Sequence, residues 1–153
     1  MGEPNYAGNI IVVLANLPDF LRIPILKKRM VEFFAMSGPE KKQLINNALE
    51  AGPTIPFPNF SKLFKTWLEI LTILPQDQRE GLFLAYINEI SENPQKLIAF
   101  NLDGIVEIFL SLKDEQQEVI SQSVKKLINN FEGEKKRKLL LIIPDNAQKY
   151  MKI

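Results

Sequence analysis

The fold is decided by residues 68–83, Leu68-Glu69-Ile70-Leu71-Thr72-Ile73-Leu74-Pro75-Gln76-Asp77-Gln78-Arg79-Glu80-Gly81-Leu82-Phe83. An apolar run stops at a Leu-Pro step, a polar turn follows, and a second apolar pattern begins. Upstream, Phe60, Leu63, Phe64, Trp67, Leu68, Leu71 and Leu74 recur at spacings of three and four. That spacing places them on one stripe of an α-helix, with Lys62, Lys65 and Glu69 off its centre. Related segments flank this one. Val31-Glu32-Phe33-Phe34 leads through Ser37-Gly38-Pro39-Glu40 to Leu44-Ile45, and Val106-Glu107-Ile108-Phe109 leads through Lys113-Asp114-Glu115 to Val119-Ile120. Glu32, Glu69 and Glu107 stand 37 and 38 residues apart. A period of that length with two helices per unit is the pattern of a stacked α-repeat, in which neighbours bury the stripe that one unit cannot.

The expectation is an all-α fold of eight or nine helices: a short right-handed α–α superhelix of three helix pairs with capping helices. The chain, 1–153, reads as a single helical repeat domain, with units over 18–52, 58–93 and 94–131 and a cap over 132–153. Pro24 is expected to break the helix near Ile23, because proline lacks the amide hydrogen and crowds the preceding residue. Pro53, Pro56 and Pro58 make residues 52–58 a stiff extended connector, with Ile55 and Phe57 packed down. Ser37-Gly38-Pro39-Glu40 reads as a helix start, and Asp114 as an N-cap. The expected core contains Phe33, Phe34, Leu44, Phe64, Trp67, Leu71, Leu82, Ile87, Ile108, Phe109, Val124 and Ile128.

The apolar helix, the Asp- or Pro-bearing turn and the second helix together resemble HEAT and armadillo-type repeats. The segment from Leu71 to Arg79 is also similar to turns in flagellar motor switch proteins and in the cytosolic N-domain of a class of magnesium transporters. Asn16-Leu17-Pro18-Asp19 and Ile143-Pro144-Asp145 echo that turn. The first and third copies depart from the HEAT pattern, lacking the Arg expected after the turn. The resemblance implies a scaffold for other macromolecules and transfers no catalytic residue.

Composition narrows the chemistry. The chain has 153 residues, no Cys and no His, so disulfides, thiolate nucleophiles, Cys–His zinc sites and histidine general bases are excluded. Its glycines form no phosphate-binding loop. The pair Glu89 and Glu92 and the cluster Glu107, Asp114, Glu115 and Glu118 read as solvated helix ends rather than metal ligands or an acid–base pair. Glu32, Glu69 and Glu107 read as the polar side of each helix in preference to a common ridge. No enzyme activity, cofactor or metal is expected. No signal peptide or membrane-spanning run stands out, and the expected location is the cytoplasm.

Net charge is +1, yet unevenly spread. Residues 1–66 carry 8 basic and 5 acidic side chains, residues 67–120 carry 3 and 10, and residues 121–153 carry 8 and 3. Such asymmetry can orient a charged partner. Second helices over 40–51, 76–90 and 115–131 are expected to line one surface, presenting Lys41, Lys42, Asn46, Arg79, Tyr86, Glu89, Gln117 and Ser121, with Arg79 and Tyr86 as anchors. The leading expectation is a non-catalytic scaffold or adaptor that binds another protein. The alternative is a nucleic-acid-binding repeat protein using Lys27, Lys28, Arg29, Lys125, Lys126, Lys135, Lys136, Arg137 and Lys138 to grip phosphates. An enzyme with paired carboxylates ranks third. A membrane-surface role for residues 135–143 is weaker than a buried terminal helix.

Overall fold

The computed structural model describes residues 6–151. They form helices α1 (Tyr6–Ala15), α2 (Asp19–Phe33), α3 (Gly38–Ala51), α4 (Phe57–Ile73) and α5 (Gln76–Glu92). The chain continues through the short α6 (Gln95–Ile98) to α7 (Leu102–Leu110), α8 (Asp114–Asn130), α9 (Gly133–Ile142) and α10 (Asp145–Met151). No strand occurs among the described residues, so the fold is all-α.

Local chemistry explains the helix starts. Ser37 Oγ accepts the Glu40 amide at 3.3 Å, and Asn101 Oδ1 accepts the Gly104 amide at 3.0 Å, each satisfying a first-turn donor that has no helical partner. Pro18, Pro75 and Pro144 stand immediately before α2, α5 and α10, where proline cannot interrupt a ladder. At α8 the cap position falls on Lys113 rather than Asp114, and the Lys113 amide donates to Gln116 Oε1 at 3.1 Å. Asp114 is instead the first helical residue, where its charge still opposes the helix dipole favourably.

Two expectations about proline fail for identifiable reasons. Helix α2 runs unbroken through Pro24. Pro24 forfeits one amide, while burial of Arg22, Leu26, Met30 and Phe33 on both sides of it keeps the helix docked. The segment 52–58 is not extended throughout. Gly52–Thr54 is a 3-10 turn, Ile55 and Pro56 are extended, and α4 already begins at Phe57. Proline tolerates a first helical turn, so Pro58 opens α4 rather than delaying it. Ile55 is buried and Phe57 packs against the core, as expected.

Helices separated by one in sequence pack together, α1 on α3, α2 on α4 and α3 on α5; past the short α6, α4 packs on α7 and α5 on α8. Helix α1 also lies on α4, and α4 on α8. Of the expected core, Phe33, Leu71, Leu82, Ile108 and Ile128 are buried; the other seven lie half-buried against that core. Along α4 an aromatic ladder runs from Phe60 to Phe64 (5.6 Å between centroids) and on to Trp67 (5.7 Å).

At residue level the packing recurs over a longer step than the glutamate spacing. Helices α2, α5 and α9 begin at residues 19, 76 and 133, and α4 and α8 at 57 and 114, each a step of 57. Leu14, Leu71 and Ile128, in the same register, are 2%, 0% and 1% exposed. By that step the helices fall into groups of three, α1–α3, α4–α7 (with α6 and α7 together in the third place) and α8–α10, although α10, at 145, starts seven residues short of it. Two glycines are demanded for different reasons. A Cβ on Gly104 would lie 2.3 Å from Cζ of Phe57, and Gly133, the first residue of α9, adopts φ +62.

Candidate interaction surface

The fourth residue of four helices carries a long donor that reaches back to the turn behind it. Arg22 Nη1 donates to the Leu17 carbonyl (2.5 Å), and Arg79 Nη1 to that of Leu74 (2.9 Å). Gln117 Nε2 donates to the Leu112 carbonyl (2.9 Å), and Gln148 Nε2 to that of Ile143 (2.9 Å). Three of them also reach the preceding helix: Arg79 to Leu71 O, Gln117 to Leu110 O and Gln148 to Leu140 O. These bonds supply donors to carbonyls at and just past helix C-termini, where the helical ladder runs out. The third copy thus lacks the Arg but not its task, which Gln117 performs.

Two of these donors bridge units. Arg22 Nε donates to Thr66 Oγ1 at 3.1 Å, and Arg79 Nε to Ser123 Oγ at 2.9 Å. Arg22 is buried and also bonds the Asp19 carboxylate, so its charge is compensated. The expected outward placement of Arg79 as an anchor is therefore corrected, because its guanidinium is half-buried and committed to three acceptors. Gln117 is buried for the same reason.

Tyr86 also turns inward. Its ring meets Trp67 edge-on at 5.4 Å between centroids, and burial pushes its phenol up to about 12. Glu89 is buried and accepts from Asn46 Nδ2 at 3.0 Å, while Lys96 donates to Asn46 Oδ1 at 2.7 Å. With Lys96–Glu50 (3.7 Å) and Lys42–Glu92 (3.4 Å), these groups bind α3, α5 and α6 into one polar seam. Lys42 remains exposed on that seam, and Lys41 lies half-buried with its ammonium 5.4 Å from the Phe33 ring centroid. Between α5 and α8, Lys126 pairs with Glu80 at 3.2 Å. The Gln76 amide donates to Glu80 and is the main cause holding its carboxyl below the ordinary value; desolvation opposes this and Lys126 reinforces it.

The basic runs lie on different units. Lys27, Lys28 and Arg29 are exposed on α2, where Arg29 pairs with Glu32 at 3.2 Å. Lys125 is half-buried on α8. On α9, Lys135 donates to Asn88 Oδ1 at 2.8 Å and sits over the Phe131 ring, while Arg137 and Lys138 are exposed. Glu69 and Glu107 are exposed on α4 and α7, Glu32 half-buried on α2. Among the described residues no group of three or more acidic side chains is placed to hold a metal ion, and no helix is long and apolar enough to cross a membrane.

Sequence reasoning overlooked Arg22 and Gln148. The signal that finds them is an apolar residue and Pro followed, five residues after the apolar one, by Arg or Gln: Leu17-Pro18 with Arg22, Leu74-Pro75 with Arg79, Ile143-Pro144 with Gln148. The chain matches no family model, no curated protein and no solved structure.

Proposed function

We propose that this chain is a non-catalytic protein-interaction scaffold, a helical-repeat module of the HEAT or armadillo kind. The observation that carries the reading is the run of neighbouring helices α3, α5 and α8, which pack in succession and so offer adjacent outer faces to a partner. Opposite charges alternate along it in Lys42–Glu92 and Lys126–Glu80. Such a face suits a partner with alternating charges of its own, matched by electrostatic complementarity. Arg79, Tyr86, Glu89 and Gln117 shape the face from within, and Lys41, Lys42 and the exposed Leu84 meet the partner.

The nucleic-acid reading draws less support. Its basic runs belong to the first and third units, and Arg29, Lys126 and Lys135 already hold partners within the chain.

Photo-crosslinkers placed singly at Lys42, Leu84 and, as a control, Lys28 test the proposal in cells. The expected result is one protein captured from Lys42 and Leu84 and not from Lys28. Capture of nucleic acid, or equal capture from all three positions, overturns it.

A further inference from the structure

Each bridge between units places the second helix of one unit against the first helix of the next. Arg22 on α2 meets Thr66 on α4, and Arg79 on α5 meets Ser123 on α8. One turn further along those first helices, Ile70 and Leu127 are 3% and 8% exposed. The same register on α1 gives Asn9 in place of the hydroxyl residue and Val13 in place of Ile70. Asn9 is exposed, and Val13 is 58% exposed. Half of the twice-built interface is therefore open on α1.

The complementary half lies on α9, where the in-register residues are half-buried beside the exposed Leu141. Lys136 on α9 holds the register position of Arg22 and Arg79, and Leu140 that of the buried Leu26 and Phe83. A shallow groove of about 490 Å³ runs along this site, lined by Lys136, Arg137, Leu140 and Leu141 of α9 with Asp145 and Gln148 of α10. Leu141 is 79% exposed there.

We propose that the occupant of this groove is α1 of a second copy of the chain. The copies join head to tail and continue the 57-residue stack from one molecule into the next. Val13 enters beside Leu140 and Leu141, and Lys136 donates to the Asn9 side-chain carbonyl, as arginine donates to a hydroxyl at each internal bridge. Helix α1 carries no charged residue, so the basic groove meets no like charge on the docked helix. The contact uses different surfaces on its two sides and continues the stack, so it propagates into chains or closes into a ring of three or more; a reciprocal two-fold pair, each α1 in the other's groove, does not continue the stack. It is independent of the α3–α5–α8 face, and failure of one reading leaves the other standing.

Sedimentation velocity from about 1 µM to about 1 mM tests the proposal, a span that brackets weak to moderate self-affinity. The expected result is a weight-average mass that rises with concentration past that of a dimer. Val13→Asp and Leu141→Asp alter exposed side chains, leave the helical circular dichroism spectrum unchanged, and each weaken association about tenfold or more. Mixed together, the two variants recover a single intact contact and stop at a dimer. A wild-type chain that stays monomeric, one that stops at a dimer, or a Val13→Asp variant that assembles like wild type overturns the proposal.

Discussion

Arg79 and Ser123, 44 residues apart, are joined at 2.9 Å, and Arg22 and Thr66, also 44 apart, are joined at 3.1 Å. A long donor at the start of one helix thus fixes a short hydroxyl on the first helix of the next unit, twice in one chain.

That relationship predicts unequal costs. Arg22→Leu should destabilise the fold by about 2–4 kcal/mol, since it leaves the Leu17 carbonyl and Thr66 without a buried donor. Arg79→Leu should cost less, its site being half-buried. In a double-mutant cycle with Ser123→Ala, the coupling to Arg79 should be about 1 kcal/mol. Urea denaturation at constant slope measures both.

Gln117 ties two carbonyls of the α7 end to α8. Gln117→Ala should lower stability by about 1–3 kcal/mol, the cost of leaving buried acceptors unpaired. Because Gln117 is buried, the same variant should leave binding by a partner unchanged at temperatures where the fold persists.

Two glycines should respond in opposite directions. Gly104→Ala drives a methyl into the Phe57 ring and should cost about 1–3 kcal/mol. At Gly81, inside α5, nothing lies within 4 Å of an added Cβ, and Gly81→Ala should stabilise by about 0.5–1 kcal/mol. Thermal unfolding of the two variants should shift to opposite sides of wild type.

Tyr86 sets an alkaline limit. Its phenol is raised from 10 to about 12 by burial, so the folded state keeps a proton that the unfolded chain releases first. Stability is full below pH 10 and falls between pH 10 and 12, by up to about 1.4 kcal/mol per unit. Tyr86→Phe should flatten that slope. Denaturant midpoints at pH 9, 10 and 11 read it directly.

Much of this was legible one helix at a time. The spacing of Phe60, Phe64, Trp67 and Leu71 shows α4, and the Leu-Pro steps show where α2 and α5 begin, because helical periodicity and proline's missing amide act within a few residues. The glutamate spacing suggests units of two helices, and burial and bridging also recur over 57 residues. Few identities mark that step beyond Leu17-Pro18 with Arg22 against Leu74-Pro75 with Arg79. Packing requires a matching size and polarity at each site, which Leu14 and Leu71 meet with leucine and Ile128 with isoleucine.

Sequence alone determined that the chain is helical and that it lacks thiol and imidazole chemistry. Only the tertiary structure decided which polar residues remain available. Arg79, Tyr86, Glu89 and Gln117 occupy positions that a single helix would turn to solvent, and each is covered or engaged by a neighbouring helix. A side chain's direction follows from its own helix. Its exposure depends on what packs beside that helix, and those neighbours come from residues more than 40 positions away in Arg79–Ser123 and Asn46–Glu89.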